Sequence, residues 1–249
     1  ALLLGIACCQ PRLGKWLKPA TWAVAVLIVA YSLGTVERGI VWGSNLKLWT
    51  DATEKAPNRG ELWNLLGVAY REQGDDAKAL DAFHKAIDGD NNRTGRSYAK
   101  RNVALIYHGQ NNLQRAKEYY LAAIEEQPDN PNAQYDLGVM YNMEARSIGE
   151  ENDRQNQIGA KLDLAATHFA ATVRLNPFHI RARWGLASVL AMQGRRLEKK
   201  GELRQAVVHY RSALVELDAL IAQAPRFESR VQIQEERAII AAALKRIAE

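Results

Sequence analysis

Cysteine is almost missing from this sequence. The 249 residues hold two, Cys8 and Cys9, side by side in an apolar stretch. Adjacent thiols with no other cysteine exclude a disulfide framework and a cysteine-based metal cluster. A lipoprotein-type signal around Cys8 fits poorly, because Gly5 stands where a large aliphatic is usual. Also missing are a phosphate-binding glycine loop, an HExxH pair, Cys/His metal spacing and a GxSxG turn. The histidines, His84, His108, His168, His179 and His209, are scattered and read as solvated or packed helix positions. Glu150, Glu151 and Asp153 lack the pattern of a calcium loop and read as a solvated insertion. Asn92-Arg93-Thr94 is a lone glycosylation sequon. No catalytic residue, metal or cofactor is expected, and the chain by itself reads as a non-enzyme.

A charge excess of one sign is missing too. The net charge is +5, but Arg12, Lys15 and Lys18 supply +3 of it before the first acid, Glu37. The remainder carries 30 basic and 28 acidic side chains, or +2. A body so nearly balanced does not read as a nucleic-acid binder.

What is present is apolar: 47% of the residues, enough for a real core. Residues 19–36, "PATWAVAVLIVAYSLGTV", hold no charge, and as a helix they extend about 27 Å. Trp16 and Trp22 near one end, with Tyr31 and Trp42 toward the other, suggest interfacial belts. The expectation is a membrane helix over 19–36, making the lipid bilayer a partner. A buried core helix is the alternative. Residues 1–9 read as the tail of an earlier span, and the basic loop 10–18 favours the cytoplasmic side. The body is then expected outside the cytoplasm, periplasmic or luminal. A chain opening on Ala1 within an apolar run suggests the C-terminal piece of something longer.

The body repeats itself. Tyr70, Tyr107 and Tyr141 are 37 and 34 residues apart, and Leu66-Gly67 recurs as Leu137-Gly138. A second helical pattern follows the first two of these tyrosines: Ala79, Phe83, Ala86, then Ala116, Tyr120, Ala123 and Pro128. Repetition at this period marks a stack of helix–turn–helix units. The pattern of large residue, Leu-Gly, Tyr, Ala, aromatic, Ala and Pro resembles the tetratricopeptide repeat. The resemblance implies an all-α solenoid of helical hairpins wound as a right-handed superhelix. The expected organisation is a membrane segment at 1–36, a stem and half repeat at 37–59, about four repeats at 60–226 (60–93, 97–130, 131–178 and 180–226, the last two with insertions), and a capping helix at 227–249. Trp49, Ala52 and Pro57 phase backward as the second half of a preceding unit. Gly67 is read as a packing residue: without a side chain, its helix closes on the helix of Ala79 and Phe83.

The junction order Arg38, Trp42, Leu48-Trp49, Pro57-Asn58, Leu66-Gly67 resembles the C-terminal stem-plus-repeat part of transmembrane-and-TPR O-mannosyltransferase-like proteins. That resemblance implies a catalytic region elsewhere and carries no catalytic residue onto this chain.

In such arrays the first helix of each repeat lines a groove. By resemblance the groove rows here are Asn64, Arg101, Tyr135 and Trp184; then Leu105 and Ser188; then Arg71, His108 and Asn142. Arg beside Tyr and Trp is a composition that anchors peptides. The other reading packs Tyr135 and Trp184 under the insertion of the third repeat. The expected function is a membrane-anchored scaffold for protein–protein interaction, part of a polytopic glycosyltransferase-like protein. The alternatives are an assembly or lipoprotein-type repeat factor without an attached enzyme, and an acceptor-recognition module of a protein O-glycosyltransferase. The partner is a protein or peptide segment in the groove.

Overall fold

The computed structural model describes residues 14–89, 92–148, 154–223 and 229–249. Among these residues there are eleven helices and no strand: Gly14–Trp42 (α1), Asn45–Lys55 (α2), Gly60–Glu72 (α3), Asp76–Gly89 (α4), Arg93–Gly109 (α5), Leu113–Glu126 (α6), Pro131–Ser147 (α7), Gln155–Leu175 (α8), Ile180–Lys199 (α9), Leu203–Gln223 (α10) and Arg230–Ala248 (α11). The expected apolar tail at 1–9 and the start of the basic loop lie outside the described residues.

Helices α3/α4, α5/α6, α7/α8 and α9/α10 pair as hairpins, and each hairpin packs on the next. The first helices α3, α5, α7 and α9 also touch one another along one side, called here the inner face. Helix α2 packs on α3, and α11 on α10.

The turns explain why the units repeat. Gly74, Asn111 and Gly201 each take a positive φ, at 79°, 58° and 78°. Glycine and asparagine reach that region most cheaply. The residue after each closes the helix end with a backbone bond five residues back: Asp75 to Tyr70, Asn112 to Tyr107 and Glu202 to Leu197. Between hairpins a second device recurs. Trp63, Gln134 and Arg183 each donate a side-chain N–H to the carbonyl of a proline six residues earlier, Pro57, Pro128 and Pro177. Asn130 caps α7 and also donates to Ser97 Oγ, which in turn donates to the Ala123 carbonyl. Asn130 and Ser97 have no exposed surface, so this chain ties three helices inside the core.

The glycine reading has a direct geometric counterpart. A Cβ built on Gly67 would lie 2.5 Å from the Phe83 ring, and one on Gly138 would lie 2.9 Å from Phe169. In the fourth hairpin the close contact is Gly194 against Tyr210, at 2.8 Å. Gly194 precedes Gly201 by the same seven residues as Gly67 precedes Gly74. The extra length of that unit is therefore taken up as about two helical turns inside α9. The insertion of the third unit likewise appears partly as helix. Helix α8 has 21 residues against 14 in α4. Its first turns bury Leu162 and half-bury Ile158 against α7, while Glu144 pairs with both Lys117 and Lys161.

The expected membrane segment is corrected. Among the described residues no helix is long and apolar enough to cross a membrane. The side chains described on α1 at 22–36 are all exposed. Without a span, the extracytoplasmic placement and the bilayer partner lose their basis.

Candidate functional site on the inner face

The expected groove residues divide into two groups. In the first two hairpins the inner row is tied up internally. Asn102 Nδ2 donates to Asn64 Oδ1 at 3.0 Å, joining α5 to α3. Arg101 Nε donates to Asp136 Oδ2 at 2.6 Å, joining α5 to α7. Burial raises the Asp136 carboxyl, against the pull of Arg101. Arg101 is thus committed to a half-buried ion pair before any ligand arrives. Leu105 packs against the core, and Arg71 and His108 are half-buried toward the helix ends.

The second group converges. Tyr135, Asn142, Trp184 and Ser188 line one cavity of about 430 Å³ between α7, α9 and α11. Phe169 closes its back, Arg146 and Arg181 stand at its edges, and Glu236 reaches in from α11. Trp184 Nε1 donates to Glu236 Oε2 at 3.0 Å, which fixes the indole across the gap between α9 and α11. Tyr135 packs against His179, with ring centroids 4.8 Å apart, and against Phe169 at 5.9 Å. Both aromatics are half-buried and line the cavity.

Two glycines shape the back wall. The Phe169 ring lies between Gly138 and Gly185, and a Cβ on Gly185 would come within 2.9 Å of it. A side chain at 185 would push the ring or the helix out of place.

The electrostatics suit a binding cleft rather than catalysis. Burial raises the Tyr135 phenol, partly offset by Arg181, so its O–H stays a donor at neutral pH. Burial lowers His179, and its Nδ1 accepts the Ala182 N–H at the start of α9, a bond that needs the neutral ring. Asn142 Oδ1 is buried and meets no donor among the described residues. Among the described residues no group of His, Cys, Asp or Glu could hold a metal ion.

Sequence reasoning reached Tyr135, Asn142, Trp184 and Ser188 but missed Arg146, Phe169, Arg181, Gly185 and Glu236. Phe169 lies on α8, a second helix, outside the rows of first-helix positions. Glu236 lies in α11, which was read purely as a cap. The signal for Gly185 was its place next to Trp184, one residue off the Leu-Gly register.

A family model described as "Tetratricopeptide repeat" matches residues 60–88, and a second with the same description matches 104–146 and 160–199. Among curated proteins, "Photosystem I assembly protein Ycf3" of Synechococcus sp. (strain CC9605) is 35% identical over 111 residues, 45% of this chain and 64% of that protein. The protein of the same name from Rippkaea orientalis (strain PCC 8801 / RF-1) is 28% identical over the same shares. The chain therefore spans just under two thirds of the length of these relatives. Among solved structures, MamA is similar with a TM-score of 0.46 and 21% identity, over 70% of this chain and 86% of that one. What the chain matches are tetratricopeptide repeats and relatives named as an assembly protein. The glycosyltransferase-like membrane protein expected from the junction is corrected by the same matches. The junction's Leu48-Trp49 lies in α2, which packs on the first helix of the first hairpin, α3.

Proposed function

We propose that this chain, which carries tetratricopeptide repeats, is an assembly-type binding protein that holds an extended segment of a client protein on its inner face. The cavity between Tyr135 and Trp184 carries the reading. Two half-exposed aromatic rings flank a space of about 430 Å³, large enough for one or two apolar side chains. Arg146 and Arg181 at the cavity's edges favour a carboxylate beside the apolar anchor. The relatives named as assembly proteins support this over the anchored-scaffold reading.

The test is capture of the client from an extract of the source cells, using the whole chain as bait. Trp184→Ala combined with Tyr135→Ala should abolish capture, while the helical circular dichroism signal stays at the wild-type level. Undiminished capture by the folded double variant would remove the inner face as the binding site.

A further inference from the structure

The two ends of the stack are complementary. At one end, α11 keeps the register of a first helix. In α5, α7 and α9 two buried residues stand seven apart: Ala99 and Ile106, Ala133 and Met140, Ala182 and Val189. Ile233 and Ile240 repeat that spacing in α11, in one cluster with Leu217 and Leu220 of α10. The bond from an earlier first helix also falls on one place: Asn102, Asp136 and Glu236 each lie four residues before the second of those buried residues. One position differs. Five residues after Ala99, Ala133 and Ala182 come Ala104, Gly138 and Ala187, all buried. There Gly138 meets Phe169 of its second helix, and Ala104 shares a cluster with Tyr120. The corresponding Ala238 of α11 is exposed, and among the described residues no second helix pairs with α11. Its neighbour Arg237 is drawn to Asp218 of α10 by an ion pair.

At the other end, α2 has the register of a second helix. Trp49 stands eight residues before Pro57, as Tyr120 does before Pro128 and Phe169 before Pro177. Tyr120 and Phe169 are fully buried, whereas Trp49 and Ala52 are only half-buried. The stretch of α1 at 22–36, exposed throughout, does not cover them. Leu65 of α3 shows the same gap on the inner side. It lies four residues before the buried Ala69, the place that Asn102 and Asp136 hold in α5 and α7. Those two are 7% and 9% exposed under the preceding first helix, and Leu65 is 38% exposed.

From these two ends we infer that copies of this chain associate head to tail, with α2 of one copy pairing with α11 of another as the second helix of its hairpin. Trp49 of one copy then packs at Ala238 of the other, as Tyr120 does with Ala104 and Phe169 with Gly138. The α3 helix that follows α2 takes the next place on the inner row. Leu65 is thereby covered from α11, where Ile239, 58% exposed, holds the place that Val68 holds in α3. The register selects the occupant. The joint takes a second helix with an aromatic eight residues before a proline, followed by a first helix with an apolar side chain toward its predecessor. The chain supplies that order itself in α2 and α3. Burying this apolar surface drives the contact. Because it joins two different faces, each added copy leaves one face of each kind open unless a ring closes. The joint lengthens the inner face and is independent of what that face holds.

The probe is the whole chain in two preparations. A donor carries photoreactive benzoylphenylalanine in place of Trp49, which keeps an aromatic ring there, and an acceptor of natural sequence is isotope-labelled. Irradiation of the mixture should join residue 49 of the donor to α11 of the acceptor, mapped by mass spectrometry. Ala238→Glu in the acceptor puts a carboxylate into the joint and should cut the yield about tenfold or more. The same exchange in the donor should not lower it, because the donor contributes α2. Ala238 is exposed, so the exchange should leave the helical circular dichroism signal at the wild-type level. Sedimentation should show mass rising with concentration for the natural chain and far less for Ala238→Glu. Absence of a labelled product, a product mapped to α1 or α2 of the acceptor, an equal loss from donor and acceptor exchanges, or association indifferent to Ala238→Glu would each overturn the inference.

Discussion

The two hairpins α3–α6 and the two hairpins α7–α10 share one plan and differ in what they leave open. The first helices of the earlier pair are 13 and 17 residues long, those of the later pair 17 and 20. In the earlier pair the inner row is closed by Asn64 with Asn102 and by Arg101 with Asp136. In the later pair the row stays open around Tyr135 and Trp184, and Trp184 is braced from α11. Helical length and the pairing of polar groups, rather than the repeat pattern, therefore decide where a binding surface can form.

Breaking the closed half should have the largest effect. Arg101→Ala strands the Asp136 carboxylate among buried neighbours and should cost about 3 kcal/mol in chemical denaturation. Exchanging Arg101 and Asp136 together for leucine should recover most of that loss. If the single exchange leaves stability unchanged, the pair is not what closes the row. Next comes the glycine contact. Gly67→Ala should destabilise by roughly 1–3 kcal/mol through collision with Phe83, read as a lowered melting temperature. Gly34 in α1 has nothing within 4 Å of a built Cβ, so Gly34→Ala should leave the hairpin melting unchanged. Equal effects of the two exchanges would refute the packing account.

The later half also carries a pH dependence. Burial holds His168 and His179 below their ordinary value of 6.5. The unfolded chain then binds more protons than the folded one just below that value, so stability should fall as pH drops from about 6.5 toward the depressed folded-state values. His168 also donates its Nδ1–H to Gln134 Oε1 and stacks on Tyr141, and His179 caps α9. The exchange His179→Asn, which keeps a cap without titrating near neutral pH, should flatten the slope of melting temperature between pH 7.5 and 5. An unchanged slope would assign the dependence elsewhere.

The repeat was legible because Leu-Gly, Tyr and the small-residue pattern of the second helices recur in the chain. Gly67 meets Phe83 and Gly138 meets Phe169, each an aromatic of its hairpin's second helix. Two things were not legible. The polar ties between neighbouring first helices depend on which side chains meet across units, and Arg101 looks the same in sequence whether it is free or paired. The proline-carbonyl bonds from Trp63, Gln134 and Arg183 use three different residue types for one role, so no residue pattern announces them. The charge-free run at 19–36 shows the reverse problem. Composition alone suggested a span, but among the described residues no helix meets the length and apolarity required.

The most direct test places a photoreactive side chain at Ser188, inside the inner-face cavity, and at Val215, which is 65% exposed on α10 and does not line that cavity. On irradiation in the source cells, Ser188 should yield a discrete cross-linked client that disappears with Trp184→Ala, and Val215 should yield none of that product. The same client cross-linked from Val215 but not from Ser188 would contradict the inner face as the site where this protein holds its partner.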